Sequence, residues 1–172
     1  MPIDPSKRTS DEAPTNARKT LLAIDLGLRT GMALFDDAAH LLWYRSHHYA
    51  NNAALRRSAH RTLREIENLA VLYIEGGGAL CDIWAREANK LEIHVRNIGA
   101  ETWRSDLLYS RDQRSGKQAK RKAEDMARRV IEWSDAPRPT SLRHDTSEAI
   151  LVGLWGLLDS GWLKAIPREL IG

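Results

Sequence analysis

The chain has 172 residues, 42% hydrophobic and 28% charged, with a formal net charge of +3 and one cysteine. That length suits one domain with a sizeable core, and a lone Cys81 excludes an internal disulfide framework or a cysteine-based structural zinc site. No apolar run approaches the roughly 18 residues of a membrane span, and the start lacks a basic-then-apolar export signal, so a cytoplasmic chain with no membrane partner is expected.

Residues 1–19 are polar, with Pro2, Pro5 and Pro14 and no apolar period, which predicts a flexible tail ahead of a single domain over 20–172. The run Leu21-Leu22-Ala23-Ile24-Asp25-Leu26 suits a buried strand. Gly27 to Gly31 reads as a tight turn, and Met32–Phe35 and Leu41–His48 as two further strands of an antiparallel meander. Leu55, Ala59, Leu63, Ile66 and Leu69 recur at helical spacing. The opposite face carries Arg56, Arg57, Arg61 and Arg64, read either as solvated or as a phosphate contact. Val71–Glu75 returns as a strand before Gly76-Gly77-Gly78. A helix over Ala79–Lys90 and a strand over Glu92–Ile98 follow. Alternation of strands and helices implies parallel pairing with right-handed crossovers. The expected architecture is therefore an α/β fold with a five-stranded mixed sheet flanked by helices. Thr102–Tyr109 is ambiguous, and Ser110–Gly116 reads as a loop. Helices are expected over Lys117–Trp133 and about Asp145–Asp159, with Gly161 as the stop.

Acidic residues interrupt this apolar pattern at telling places. Asp25 lies within the first strand, and Glu75 ends the fourth. A carboxylate in a buried strand is costly unless paired or bound to a cation. Asp145 and Glu148 are three apart and so share one helix face; the same pair also fits a capping box at a helix start. Four carboxylates brought to one sheet edge form a donor set for Mg²⁺ or Mn²⁺, hard cations that prefer oxygen. Two such ions about 3.5–4 Å apart suit phosphodiester hydrolysis.

The motifs IDLGLRTG around Asp25, YIEG around Glu75 and HDTSEA at 144–149 resemble those of RuvC-type Holliday junction resolvases, from about Leu21 to Leu158. Trp103-Arg104, followed by the Ser-Gly-Lys start of a basic helix at 115–117, resembles the family segment before the last acid pair. The resemblance implies an RNase H-like fold and a catalytic, metal-binding set of Asp25, Glu75, Asp145 and Glu148, with two Mg²⁺ or Mn²⁺ ions. It also implies a homodimer that nicks four-way junction DNA symmetrically in recombination and repair. The chain departs from the family in carrying Glu148 where Asp is usual, in its triple glycine, and in its added tail. The same fold and acids would also serve an RNA-processing nuclease of the YqgF-like branch, or a junction-binding protein without catalysis.

Charge distribution points to a polyanionic partner as well. From Arg104 to Arg129 there are nine Lys/Arg against four Asp/Glu. Arg114, Lys117, Lys120 and Arg121 are the expected DNA-phosphate contacts. The competing expectation is a salt-bridged surface helix, with Glu124 four after Lys120 and Asp125 four after Arg121.

Overall fold

The computed structural model describes residues 17–27, 29–109 and 115–172. The expected contact Arg114, most of the expected tail and most of the loop over 110–116 lie outside the described residues. Five strands form one sheet: β1 (Thr20–Asp25), β2 (Thr30–Asp36), β3 (Leu41–His47), β4 (Leu69–Glu75) and β5 (His94–Ile98), in the order β3-β2-β1-β4-β5. The pairs β1–β2 and β2–β3 are antiparallel, while β1–β4 and β4–β5 are parallel. This is the mixed five-stranded sheet the sequence predicts. β5 starts later than predicted because Glu92 takes a left-handed φ of 57° in the turn before it.

Helices α1 (Asn52–Glu65) and α2 (Gly78–Lys90) cover one face. Helices α3 (Ala100–Leu107), α4 (Gly116–Trp133) and α5 (His144–Asp159) cover the other. The ambiguous segment is thus α3. Period-two alternation sorts each strand between two cores. Leu22, Ile24, Leu72 and Ile74 join the α1–α2 side; Leu21, Ala23, Val71 and Tyr73 join the α3–α5 side. By the same alternation Asp25 and Glu75 face α5, and they are register partners at the ends of adjacent parallel strands. No helix among the described residues is long and apolar enough to cross a membrane. Trp84 of α2 is fully buried against the sheet.

Helix α5 crosses the sheet centre and is buried from Thr146 to Leu157. It comes this close because small residues line its underside. A Cβ at Gly153 would run into the Phe35 ring, and one at Gly156 would lie 2.9 Å from the Tyr73 ring. The tightest approach is at the helix start, where a Cβ on Gly31 of β2 would collide with the backbone carbonyl of Asp145. Gly31 is also the register partner of Asp25. The bare backbone of Gly31 therefore seats the first turn of α5 beside the end of β1. Gly31→Ala should destabilise the protein by about 3 kcal/mol, the upper end for overpacking, because the colliding atoms are backbone. Urea unfolding measures this, and an unchanged midpoint would mean that α5 is not seated on Gly31.

Candidate metal centre

One transverse row of the sheet reads Ser46, Gly31, Asp25, Glu75, Ile98 from β3 to β5. Asp25 and Glu75 supply two carboxylates from neighbouring strands. Glu148 descends from α5, and one oxygen from each of the three lies within 4.8 Å of the others. Glu75 and Glu148 are buried, and Asp25 is partly so. The fourth predicted acid, Asp145, is not in this trio: its Oδ2 accepts a hydrogen bond from the Ser46 hydroxyl.

The capping alternative for Asp145 and Glu148 is ruled out by the position of the helix start. Arg143 is the N-cap and no side chain caps the helix, so Asp145 lies within the first turn. Glu148 instead pairs with the Arg104 guanidinium, and the His144 ring Nε2 lies 3.4 Å from its Oε1. Glu75 Oε2 accepts from the buried indole Nε1 of Trp103 at 2.7 Å. Trp103 is fully buried, so its ring belongs to the core and only its indole N–H serves the site. The short helix α3 thus presents two consecutive side chains to the site, an indole for Glu75 and a guanidinium for Glu148. Sequence spacing carries no signal for these contacts, which span 28 and 44 residues. The resemblance marked Trp103-Arg104 as a motif without giving it a role.

Asp25 differs from its neighbours: among the described residues no side chain donates to it. Burial, then the charges of Glu75, Glu148 and Asp145, push its carboxyl up to about 8, with Arg104 opposing. Burial also raises Glu75, and the Trp103 hydrogen bond partly offsets this. Three carboxylates with a single guanidinium among them leave excess negative charge away from water. The donor set is all oxygen, as a hard divalent cation requires, and the unpartnered Asp25 carboxylate would gain most from one.

The predicted basic residues Lys117, Lys120 and Arg121 occupy the exposed first turns of α4. The expected salt-bridged face does not form: Glu124 pairs with Arg128, and none of the three forms an ion pair among the described residues. Ser115 caps the helix, its hydroxyl accepting from the Gln118 amide. The far end of α4 is tied to β3 through the Leu41 amide on the Ser134 hydroxyl and through Tyr44 on the Pro137 carbonyl.

A mixed five-stranded sheet with its acids at the end of the central strand, between α1–α2 and α3–α5, defines an RNase H-like fold. The structure of Thermus thermophilus RuvC in complex with a Holliday junction substrate is similar, with a TM-score of 0.61 and 13% identity over 83% of this chain and 96% of that one. The large terminase nuclease of a thermophilic phage, solved with bound zinc, aligns over 83% of this chain and 81% of that one, with a TM-score of 0.47 and 10% identity. A ROK family protein from Streptococcus pneumoniae in complex with sucrose covers 50% of this chain and 36% of its own, with a TM-score of 0.41 and 15% identity. No protein-family profile and no curated protein matches the chain.

The raised Asp25 carboxyl fixes a pH dependence. Between its ordinary 3.8 and about 8, the metal-free folded chain holds a proton that the unfolded chain has released. Stability therefore falls as pH rises through that window, by up to about 1.4 kcal/mol per unit. In a chelator, the Tm of the wild type should drop from pH 5 to pH 8 more steeply than that of Asp25→Asn. Parallel curves would contradict the raised value. Trp103→Phe keeps the aromatic volume but removes the donor to Glu75. Mn²⁺ affinity should fall roughly 10–100-fold, read by isothermal titration; unchanged affinity would mean that the indole does not orient the ligand.

Proposed function

We propose that this protein is a metal-dependent endonuclease that resolves four-way DNA junctions by paired nicks, acting as a homodimer in the cytoplasm during recombination and repair. The observation that carries the reading is the trio of Asp25, Glu75 and Glu148 at the end of the central strands, with no side-chain donor to Asp25 among the described residues. The likeness in fold to a RuvC structure containing a Holliday junction supports the choice of substrate.

In this reading Asp25, Glu75 and Glu148 hold Mg²⁺ or Mn²⁺. The cation supplies activation of water and neutralisation of charge on phosphate oxygens. A second ion would recruit Asp145, three residues from Glu148 and on the same helix face. In the hydrolysis, water oxygen bonds to phosphorus, the bond from phosphorus to the 3′ oxygen breaks, and a proton passes from the water to the departing oxygen. The products are a 5′-phosphate and a 3′-hydroxyl. Trp103 keeps Glu75 in position, and Arg104 does the same for Glu148. Glutamate at 148 adds a methylene relative to the aspartate usual in the resembling family, and the Arg104 ion pair limits the freedom that this adds.

Lys117, Lys120 and Arg121 are proposed as phosphate contacts, with Arg114 just before them in the chain. Support comes from the first three forming no ion pair among the described residues and from the tethering of the far end of α4 to β3. Such contacts position a duplex without reading its sequence.

Cleavage of a labelled four-way junction in Mg²⁺ or Mn²⁺ tests the proposal. The wild type should give paired, ligatable nicks, and Asp25→Asn should lose more than the roughly 10–100-fold typical of residues that only support a metal ligand. Equal activity of the two would sink the site. Cleavage of structured RNA in preference to the junction would replace the substrate, and binding of the junction with no cleavage would remove the catalytic reading.

A further inference from the structure

The acidic trio faces α5. On the opposite face of the same sheet edge, β3 and α1 enclose a groove of about 490 Å³. Arg45 and His47 of β3 line it with His48, while Arg57 and Arg61 of α1 line the other wall and Glu65 is the single acid. Strand alternation explains the placement. Ser46 points toward α5 and bonds to Asp145, so its neighbours Arg45 and His47 point the other way.

The cations are built in rather than compensated. Arg45 lies 4.4 Å over the Trp43 ring, and its Nη2 is 3.4 Å from the Thr62 hydroxyl of α1. This pre-orders its guanidinium at the groove wall. Arg57 and Arg61 are exposed, one helical turn apart, and form no ion pair among the described residues. The rim adds an aromatic surface, with the His47 and Tyr49 rings 4.5 Å apart. Guanidinium groups beside rings, with no ion pair among the described residues, are the chemistry of a nucleic-acid backbone track.

The register places this groove close to the site. Asp25 pairs with Gly31, and Gly31 with Ser46, so the two strand spacings from β1 to β3 amount to about 10 Å. Arg57 and Arg61 stand further off, on α1 across the sheet, so the separation is at least about three nucleotide rises of 3.4 Å. We propose that this groove holds the sugar-phosphate backbone of the DNA strand being cut, a few nucleotides from the scissile phosphate, with Arg57 and Arg61 as its principal phosphate contacts. The proposal rests on the nuclease reading for its substrate, yet its test does not depend on cleavage.

The experiment measures equilibrium binding of a four-way DNA junction in EDTA against salt concentration, by fluorescence anisotropy. Each phosphate contact contributes about 0.9 to the slope of log affinity against log salt. Arg57→Ala with Arg61→Ala should lower the magnitude of the slope by roughly 2. A control pair, Arg56→Ala with Arg64→Ala, removes the same charge from the same helix outside the groove and should change it by less than half as much. Circular dichroism confirms that both pairs fold. An unchanged slope, or equal losses from the two pairs, overturns the groove. An unchanged slope in a chain whose wild type cleaves junctions overturns the groove alone. A groove-specific loss in a chain that never cleaves supports the groove and sinks the nuclease reading. No measurable binding sinks both.

Discussion

The seating of α5 on Gly31 is the contact on which the site depends. A fully buried strand is a poor place for glycine, which costs backbone entropy and supplies no packing. Here the missing side chain lets the backbone of Asp145 rest directly on β2. Gly153 and Gly156 continue the close approach against Phe35 and Tyr73. With the helix held at that depth, Glu148, three residues past Asp145, reaches the carboxylates of β1 and β4. The two strand acids need no such help, since parallel register alone makes Asp25 and Glu75 neighbours on one face.

What the seating brings together is electrostatically unfavourable. Carboxylates out of water repel one another and resist ionisation, and the rise of Asp25 to about 8 shows where the strain concentrates. The surrounding protein gives each neighbour of Asp25 a side-chain partner, whereas Asp25 has only the nearby charge of Arg104. Glu75 has a neutral indole donor, Glu148 has a guanidinium and a histidine, and Asp145 has a hydroxyl. This distribution orients each carboxylate while leaving net negative charge at the centre. A site built purely for stability would have given the Asp25 carboxyl a partner too, since without one it can ionise only at a cost.

Much of this was legible in the sequence. Period-two runs locate the strands, and acids interrupting or ending those runs locate half the site. The fold class and the helices over Ala79–Lys90, Lys117–Trp133 and Asp145–Asp159 follow from spacing alone, to within a residue or two. Asp145 and Glu148 were ambiguous because cap and ligand differ by where the helix begins, and boundaries shift by a residue or two. A start at His144 with Arg143 as N-cap decides between them. Trp103 and Arg104 were legible only as a motif. Their segment is a single eight-residue helix, too short for periodicity to announce, and their partners are fixed by tertiary packing.

The edge of the sheet is therefore divided by charge. Consecutive residues of β3 face opposite ways, so Ser46 belongs to the acidic side under α5 while Arg45 and His47 belong to the groove against α1. An acidic cluster by itself repels a polyanion, and the repulsion grows as burial lowers the local dielectric. Positive charge within about a Debye length, ~8–10 Å at ordinary salt, offsets it along the approach. The flanking arginines of α1 lie on the other face of the sheet, where they cannot reach in to neutralise Asp25. Attraction of the strand and charge balance at the carboxylates are consequently separate tasks for separate groups. In the proposed reading the first falls to the groove arginines. In the same reading the second falls to a cation at Asp25, and the acidic side would accept a phosphate once that cation is in place.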